Sequence, residues 1–201
     1  MHRPILQESA SADSVIGHRE MCGIIDARTY SLFPDGFPAE YIRRLETKIG
    51  RATLCNQIMG GMEAIAEFAQ EHERTGSPIA YASKCDPLIQ LAMNEAVIPV
   101  REQHHIVDTA FALAQEMGVQ ITRAIARPYV REGDGFKRTA NRHDAVLPLT
   151  GRTLVDVLRD RGVFTCSVGK PADLVNTRYD EEIKLTDPKL IEPALGLRFA
   201  H

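Results

Sequence analysis

Apolar residues spaced three and four apart predict most of the helices. Ile42, Leu45 and Ile49 mark a helix that begins after Pro38 and ends at Gly50. Met62, Ile65, Ala66 and Ala69 mark a second, stopped near Gly76-Ser77-Pro78. Val107, Ala110, Phe111, Ala114 and Met117 place the longest helix over about Val100–Met117, closed by Gly118. Leu154, Val155 and Leu158 point inward from another. It opens at Thr153-Leu154-Val155-Asp156, a capping box in which Asp replaces the usual Glu. Ser83-Lys84-Cys85-Asp86-Pro87 predicts a turn into a further helix with Leu88, Leu91 and Ala92 on one face. Asp86 is its N-cap and Pro87 its first helical residue, where the missing N–H costs nothing.

Strand patterns alternate with these helices. Ala52–Asn56 and Ile79–Ala82 read as short strands, and Val119–Arg127 as a longer one. Phe136–Asn141 follows the glycine-punctuated turn Glu132-Gly133-Asp134-Gly135, close enough to pair with 119–127 antiparallel. Val163–Val168 alternates Phe164, Cys166 and Val168 against Thr165 and Ser167. The alternation predicts an α/β (α+β) fold, a mixed sheet of about four to five strands layered with helices. Residues 1–36 read as an irregular arm and 37–175 as the main domain. Residues 176–201 read as a tail interrupted at Asp187-Pro188 and Glu192-Pro193.

The 201 residues are 44% hydrophobic and 25% charged, values of a soluble globular protein. A net charge of -3 argues against a general nucleic-acid binder and leaves room for a local cationic pocket. No apolar run approaches the ~20 residues of a membrane helix. Met1-His2-Arg3-Pro4-Ile5-Leu6 has no hydrophobic stretch behind it, so no secretory signal and a cytoplasmic location are expected. Cys22, Cys55, Cys85 and Cys166 form no Cys-x-x-Cys pair and read as reduced, mostly buried thiols.

The candidate chemistry is cationic. Arg127 ends a strand before Pro128, and Arg142 follows a loop that brings the chain back. Lys170 stands between Val168-Gly169 and Pro171, which starts a short helix. Guanidinium forks and an ammonium recognise phosphate, so these three are expected to converge on one phosphate group. The competing reading pairs them with Asp134, Asp144 or Asp173 as surface ion pairs. Ser14, near Asp13 and His18, suits a nucleophile or phosphate acceptor if a base or metal activates it, and otherwise is a serine in a flexible arm. His104-His105 point in different directions on a helix and cannot share a metal. Glu71-His72-Glu73 reads as a solvated helix end, and Gly60-Gly61 matches no phosphate-binding glycine motif.

Taken in order, several segments resemble the phosphopentomutase family. They are Asp13-Ser14 with Gly17-His18-Arg19-Glu20, Asp35-Gly36-Phe37-Pro38, Gly50-Arg51, Gly61-Met62-Glu63, Pro78-Ile79-Ala80-Tyr81-Ala82-Ser83 and Ile89-Gln90-Leu91-Ala92. Ile125-Ala126-Arg127-Pro128-Tyr129, Arg138-Thr139-Ala140-Asn141-Arg142-His143-Asp144 and Val168-Gly169-Lys170-Pro171-Ala172-Asp173 complete the set. The likeness implies phosphate transfer between O1 and O5 of ribose or deoxyribose, by an alkaline-phosphatase-like core with two manganese ions and an inserted cap. By resemblance this chain is the cap plus the phosphoacceptor segment. Arg127, Arg142 and Lys170 would grip the distal phosphate, Ser83 and Asp86 would face the sugar, and Ser14 would take the place of the phosphorylated threonine.

The departures are specific. Ser14 replaces Thr, Ala12 the preceding Lys, and Arg19 the Trp after Gly-His; Ser83–Pro87 carries one extra residue. No segment corresponds to the core's metal-binding start or its later Asp and His ligands. The manganese is therefore expected in missing sequence or in a separate core chain. A sugar phosphate such as ribose 5-phosphate is the expected partner, with no nucleic acid and no membrane. The rival expectations are a stand-alone sugar-phosphate-binding module and an interaction domain whose cations form an ion-pair network.

Overall fold

The computed structural model describes residues 6–184. The expectations for residues 1–5, Asp187-Pro188 and Glu192-Pro193 lie outside the described residues. The chain forms two compact units, residues 29–147 and residues 1–28 with 148–201. The first is thus an insertion in the sequence of the second. This division cuts across the ranges 1–36, 37–175 and 176–201 read from the sequence.

The inserted unit is built on a mixed sheet of β1 (Leu54–Ile58), β2 (Ile79–Ala82), β3 (Leu88–Asn94), β4 (Arg123–Glu132), β5 (Gly135–Arg138) and β6 (His143–Val146). The order is β1-β2-β3-β4-β5, with β6 also paired to β4. β1 and β2 are parallel, β2 and β3 antiparallel, and β3 and β4 parallel. β4 is long enough to serve two partners. Its first half, Arg123–Ala126, pairs antiparallel with β6, and Tyr129–Glu132 pairs antiparallel with β5.

Helices cover both faces. α2 (Ala39–Ile49) and α4 (Val100–Met117) share a core with Ala80, Ala82, Ile89, Leu91, Met93, Ala124 and Ala126. α3 (Gly61–Thr75) contributes Ala64, Ile65 and Ala69 to the opposite core, with Ile79, Tyr81, Ala92 and Tyr129. The 3.6-residue period of α4 is faithful to its sequence, and its end is set by Gly118, whose φ of 69° suits a residue without Cβ.

The second unit holds α1 (Ser14–Met21), α5 (Leu154–Asp160), α6 (Pro171–Val175) and a parallel pair, β7 (Cys166–Val168) with β8 (Glu181–Ile183). Thr153 and Asp156 form the expected capping box of α5, with Asp156 N to Thr153 Oγ1 at 3.1 Å and Thr153 N to Asp156 Oδ2 at 2.7 Å. Buried Arg19 of α1 donates to the carbonyls of Leu174 and Pro148, both at 3.3 Å. Among the described residues no helix is long and apolar enough to cross a membrane.

The mixed α/β class is as expected, and several elements differ. Residues 14–21 are a helix, not an irregular arm; Asp13 caps it, accepting from Val15 N at 2.7 Å and Ile16 N at 3.2 Å. The helix expected after Asp86 is β3. All seven of its residues are buried, and a short apolar run carries no period that separates a buried strand from a buried helix. Asp86 and Pro87 therefore end a turn before a strand and do not start a helix. The main sheet has six strands where about four to five were expected, because β3 and His143–Val146 both pair, although only the second half of the latter, Ala145-Val146, reads as apolar. Short β8 falls in a stretch read as polar tail.

Candidate functional site

Pairing register decides which side chains share a face. Tyr81 lies opposite Gln90, and Gln90 opposite Ile125. Strand side chains alternate between faces, so Arg123 and Arg127, two residues either side of Ile125, join that face. Asp144 pairs with Ile125 and Arg138 with Tyr129, which adds β6 and β5 to it. This is the face that carries α3. The apolar positions Ile79, Ala92 and Tyr129 belong to the α3 core, whereas Arg123, Gln90, Arg127, Arg138, Arg142 and Asp144 form a polar strip.

Arg127 is the centre of that strip. Its Nε donates to Gln90 Oε1 at 3.0 Å. No carboxylate lies within salt-bridge distance of it among the described residues. Burial pushes its pKa down to about 10, and the charges of Arg142 and Arg138 add to the depression. Arg142 holds Asp144 in a bidentate pair, with Nε–Oδ1 and Nη2–Oδ2 both 2.5 Å. The Asp144 pairing weighed as an alternative from the sequence is therefore present.

Buried Arg123 lies 3.8 Å from both Asp144 and Asp86. A chain of alternating charge thus runs from the Ser83–Asp86 turn to Arg142. In that turn Ser83 Oγ accepts from the amides of Cys85 at 3.4 Å and Asp86 at 3.3 Å. Four guanidiniums and two carboxylates on this strip leave it positive.

The segment that presents Arg142 is fixed on both sides. Glu95 accepts from Thr139 Oγ1 and from Asn141 Nδ2, the latter at 3.0 Å. From α4, His104 Nε2 meets the Asn141 carbonyl at 3.0 Å and Asp108 meets His143 Nε2 at 2.7 Å. The rings of His104 and His143 stack at 4.7 Å. His104 thus helps position the Asn141 segment. His72, read as part of a solvated helix end, is wholly buried between the Ser77 carbonyl and the Asn94 amide.

The structure brings Arg127, Arg142, Ser83 and Asp86 into the inserted unit. Ser14 and Lys170 belong to the other unit. Ser14 is exposed at the first turn of α1, with its carbonyl 2.7 Å from His18 Nδ1. Lys170 is exposed at the start of α6. Sequence reading missed Tyr81, Gln90 and Arg138 as site residues. Their signal is the two-residue alternation across β2 and β3, which needs the register to be legible.

No protein-family model matches the chain. Individual relatives do. The chain is 40% identical over 189 residues to a phosphopentomutase of Carboxydothermus hydrogenoformans, covering 92% of this chain and 48% of that protein. The chain is related to the phosphopentomutases. Phosphopentomutases of Thermotoga maritima (37% over 170 residues, 85% of this chain, 43% of that protein) and Kosmotoga olearia (37% over 176 residues, 88% and 44%) match in the same way. The chain spans a little under half the length of these curated relatives. The phosphopentomutase family is generally metal-dependent. Among the described residues, no three His, Cys, Asp or Glu side chains gather as metal ligands. These residues do not fit the two manganese ions.

Proposed function

We propose that this chain is the sugar-phosphate-binding part of a phosphopentomutase-like enzyme that moves phosphate between O1 and O5 of ribose or deoxyribose. The observation that carries the reading is Arg127, a half-buried guanidinium with a neutral amide as its close partner and two further arginines beside it. Its desolvation is only partly offset, by Gln90 and by the more distant Asp144, until an anion arrives. The kinship with phosphopentomutases supports a pentose phosphate as that anion.

In this reading Arg127 and Arg142 hold the distal phosphate. Ser83 and Asp86 face the sugar, and Ser14 takes the phosphoacceptor position. Fixing the phosphate fixes the distance to the reacting hydroxyl, which is how positioning lowers a transfer barrier. The manganese-bearing half of such an enzyme is the expected partner, in the same polypeptide or another, in the cytoplasm. The inserted position of residues 29–147 supports a cap over that range, narrower at its C-terminal end than the 37–175 read from the sequence.

Calorimetric titration with ribose 5-phosphate and with ribose, in metal-free buffer, tests the reading. Binding of the phosphate and not of the free sugar is expected. Equal binding of both, or binding of neither, would overturn it.

A further inference from the structure

The wall of the arginine strip nearest α3 contains Tyr81 and Arg138, which interact with each other and leave the tyrosine's own proton without an acceptor. Tyr81 is wholly buried, and among the described residues its hydroxyl finds no acceptor, only the Arg138 guanidinium beside its oxygen. The charged groups that act on it most strongly are the guanidiniums of Arg127 and Arg138. Guanidiniums only donate, so the hydroxyl's own proton has no acceptor. Arg138 has no carboxylate within salt-bridge distance among the described residues. Burying a hydroxyl without an acceptor costs free energy, and so does crowding like charges. Both costs vanish if an acceptor-only anion sits between these groups.

The first residue of α3 shows how closely the wall is built. A Cβ on Gly61 would lie 1.9 Å from Arg138 Nη2 and 2.8 Å from the Tyr81 hydroxyl. Glycine lets the helix N-terminus approach both groups. α3 has 15 residues, and its Gly60 N-cap offers no side-chain oxygen to the first amides. One carboxylate is near: Glu63 accepts from Gly60 N–H at 3.1 Å, at the cap itself.

We infer that Tyr81 and Arg138 are further ligands of the phosphate held by Arg127, the tyrosine donating its hydroxyl hydrogen to a phosphate oxygen. The inference rests on the sugar-phosphate reading and adds to it a neutral donor and a third guanidinium at the α3 end. A phosphate monoester dianion matches this set, since its terminal oxygens only accept. A neutral sugar hydroxyl does not need two guanidiniums.

The test uses the whole chain and inorganic phosphate, with ribose 5-phosphate as a second probe. Tyr81→Phe keeps the ring and removes only the hydroxyl; Arg138→Ala removes the fork. Each is expected to weaken both probes about tenfold or more, the range for a hydrogen bond to a charged group. The melting temperature of free Tyr81→Phe is expected to equal or exceed that of the wild type, because a buried unpaired hydroxyl is gone. If either variant binds phosphate as the wild type does while Arg127→Met does not, the inference falls and the arginine site stands. If Tyr81→Phe loses affinity and melting temperature together, its role is structural and the inference also falls. A wild type that binds neither probe overturns both this inference and the reading beneath it.

Discussion

Replacing Arg127 by Met keeps the apolar stem and deletes the charge. Burial pushes the guanidinium's pKa down to about 10, well below its ordinary value. At ~1.36 kcal/mol per tenfold change in the equilibrium, this weighs a few kcal/mol against the charged form. Because the group is only half-buried, screening trims it to about 1–3 kcal/mol. The lost hydrogen bond to Gln90 costs about 1 kcal/mol. The unliganded variant should therefore be more stable than the wild type, by about 0–2 kcal/mol.

The sign follows from linkage. The folded pKa lies below the unfolded one, so the penalty is complete below about 10 and fades only as pH rises towards the guanidinium's ordinary value. At neutral pH the whole effect is present. Urea unfolding with and without inorganic phosphate separates the two roles. Phosphate at about 100 times its Kd should stabilise the wild type by about 2.7 kcal/mol and leave Arg127→Met unmoved. A variant several kcal/mol less stable than the wild type, or one still stabilised by phosphate, would refute the claim that Arg127 is held charged and underpaired for a ligand.

Three other substitutions probe the rest of the account. Arg142→Ala should weaken ribose 5-phosphate binding by about 1.5–3 kcal/mol in calorimetry, since it removes a charged donor from the strip and leaves Asp144 to Arg123; unchanged affinity would exclude Arg142 from the pocket. His72 is buried neutral and its pKa is lowered, first by burial, so wild-type stability should fall as pH drops below 6.5. His72→Gln should cost about 1–3 kcal/mol at neutral pH and flatten that slope; an equally steep slope in the variant would assign it to other groups. Gly61→Ala should displace Arg138 and cost about 1–3 kcal/mol of stability by overpacking; normal phosphate affinity and melting temperature would show that the α3 end is looser than described.

The sequence was most informative where one physical signal acted alone. The limits of α4 and the capping box of α5 follow from local period and capping, and both are found as read. β3 was read as a helix because a strand buried on both faces shows no polar alternation. β6 escaped because four half-buried residues beginning with His143 and Asp144 look like loop; their strand character comes from pairing with β4. The cationic site was visible as Arg127 and Arg142 but not as Tyr81, Gln90 or Arg138. Those three become neighbours only through register across β2, β3, β4 and β5, which no local spacing encodes. The Asp144 pairing with Arg142 could be weighed from the sequence, yet only geometry shows that, among the described residues, no carboxylate lies within salt-bridge distance of Arg127.

The central claim is that the arginine strip on the α3 face receives the phosphate of the substrate. A crystal structure of this chain soaked with ribose 5-phosphate tests it most directly. The account predicts phosphate density in contact with the Arg127 guanidinium, between Arg142 and Arg138. Density for the phosphate on another surface, with Arg127 still bonded only to Gln90, would contradict it.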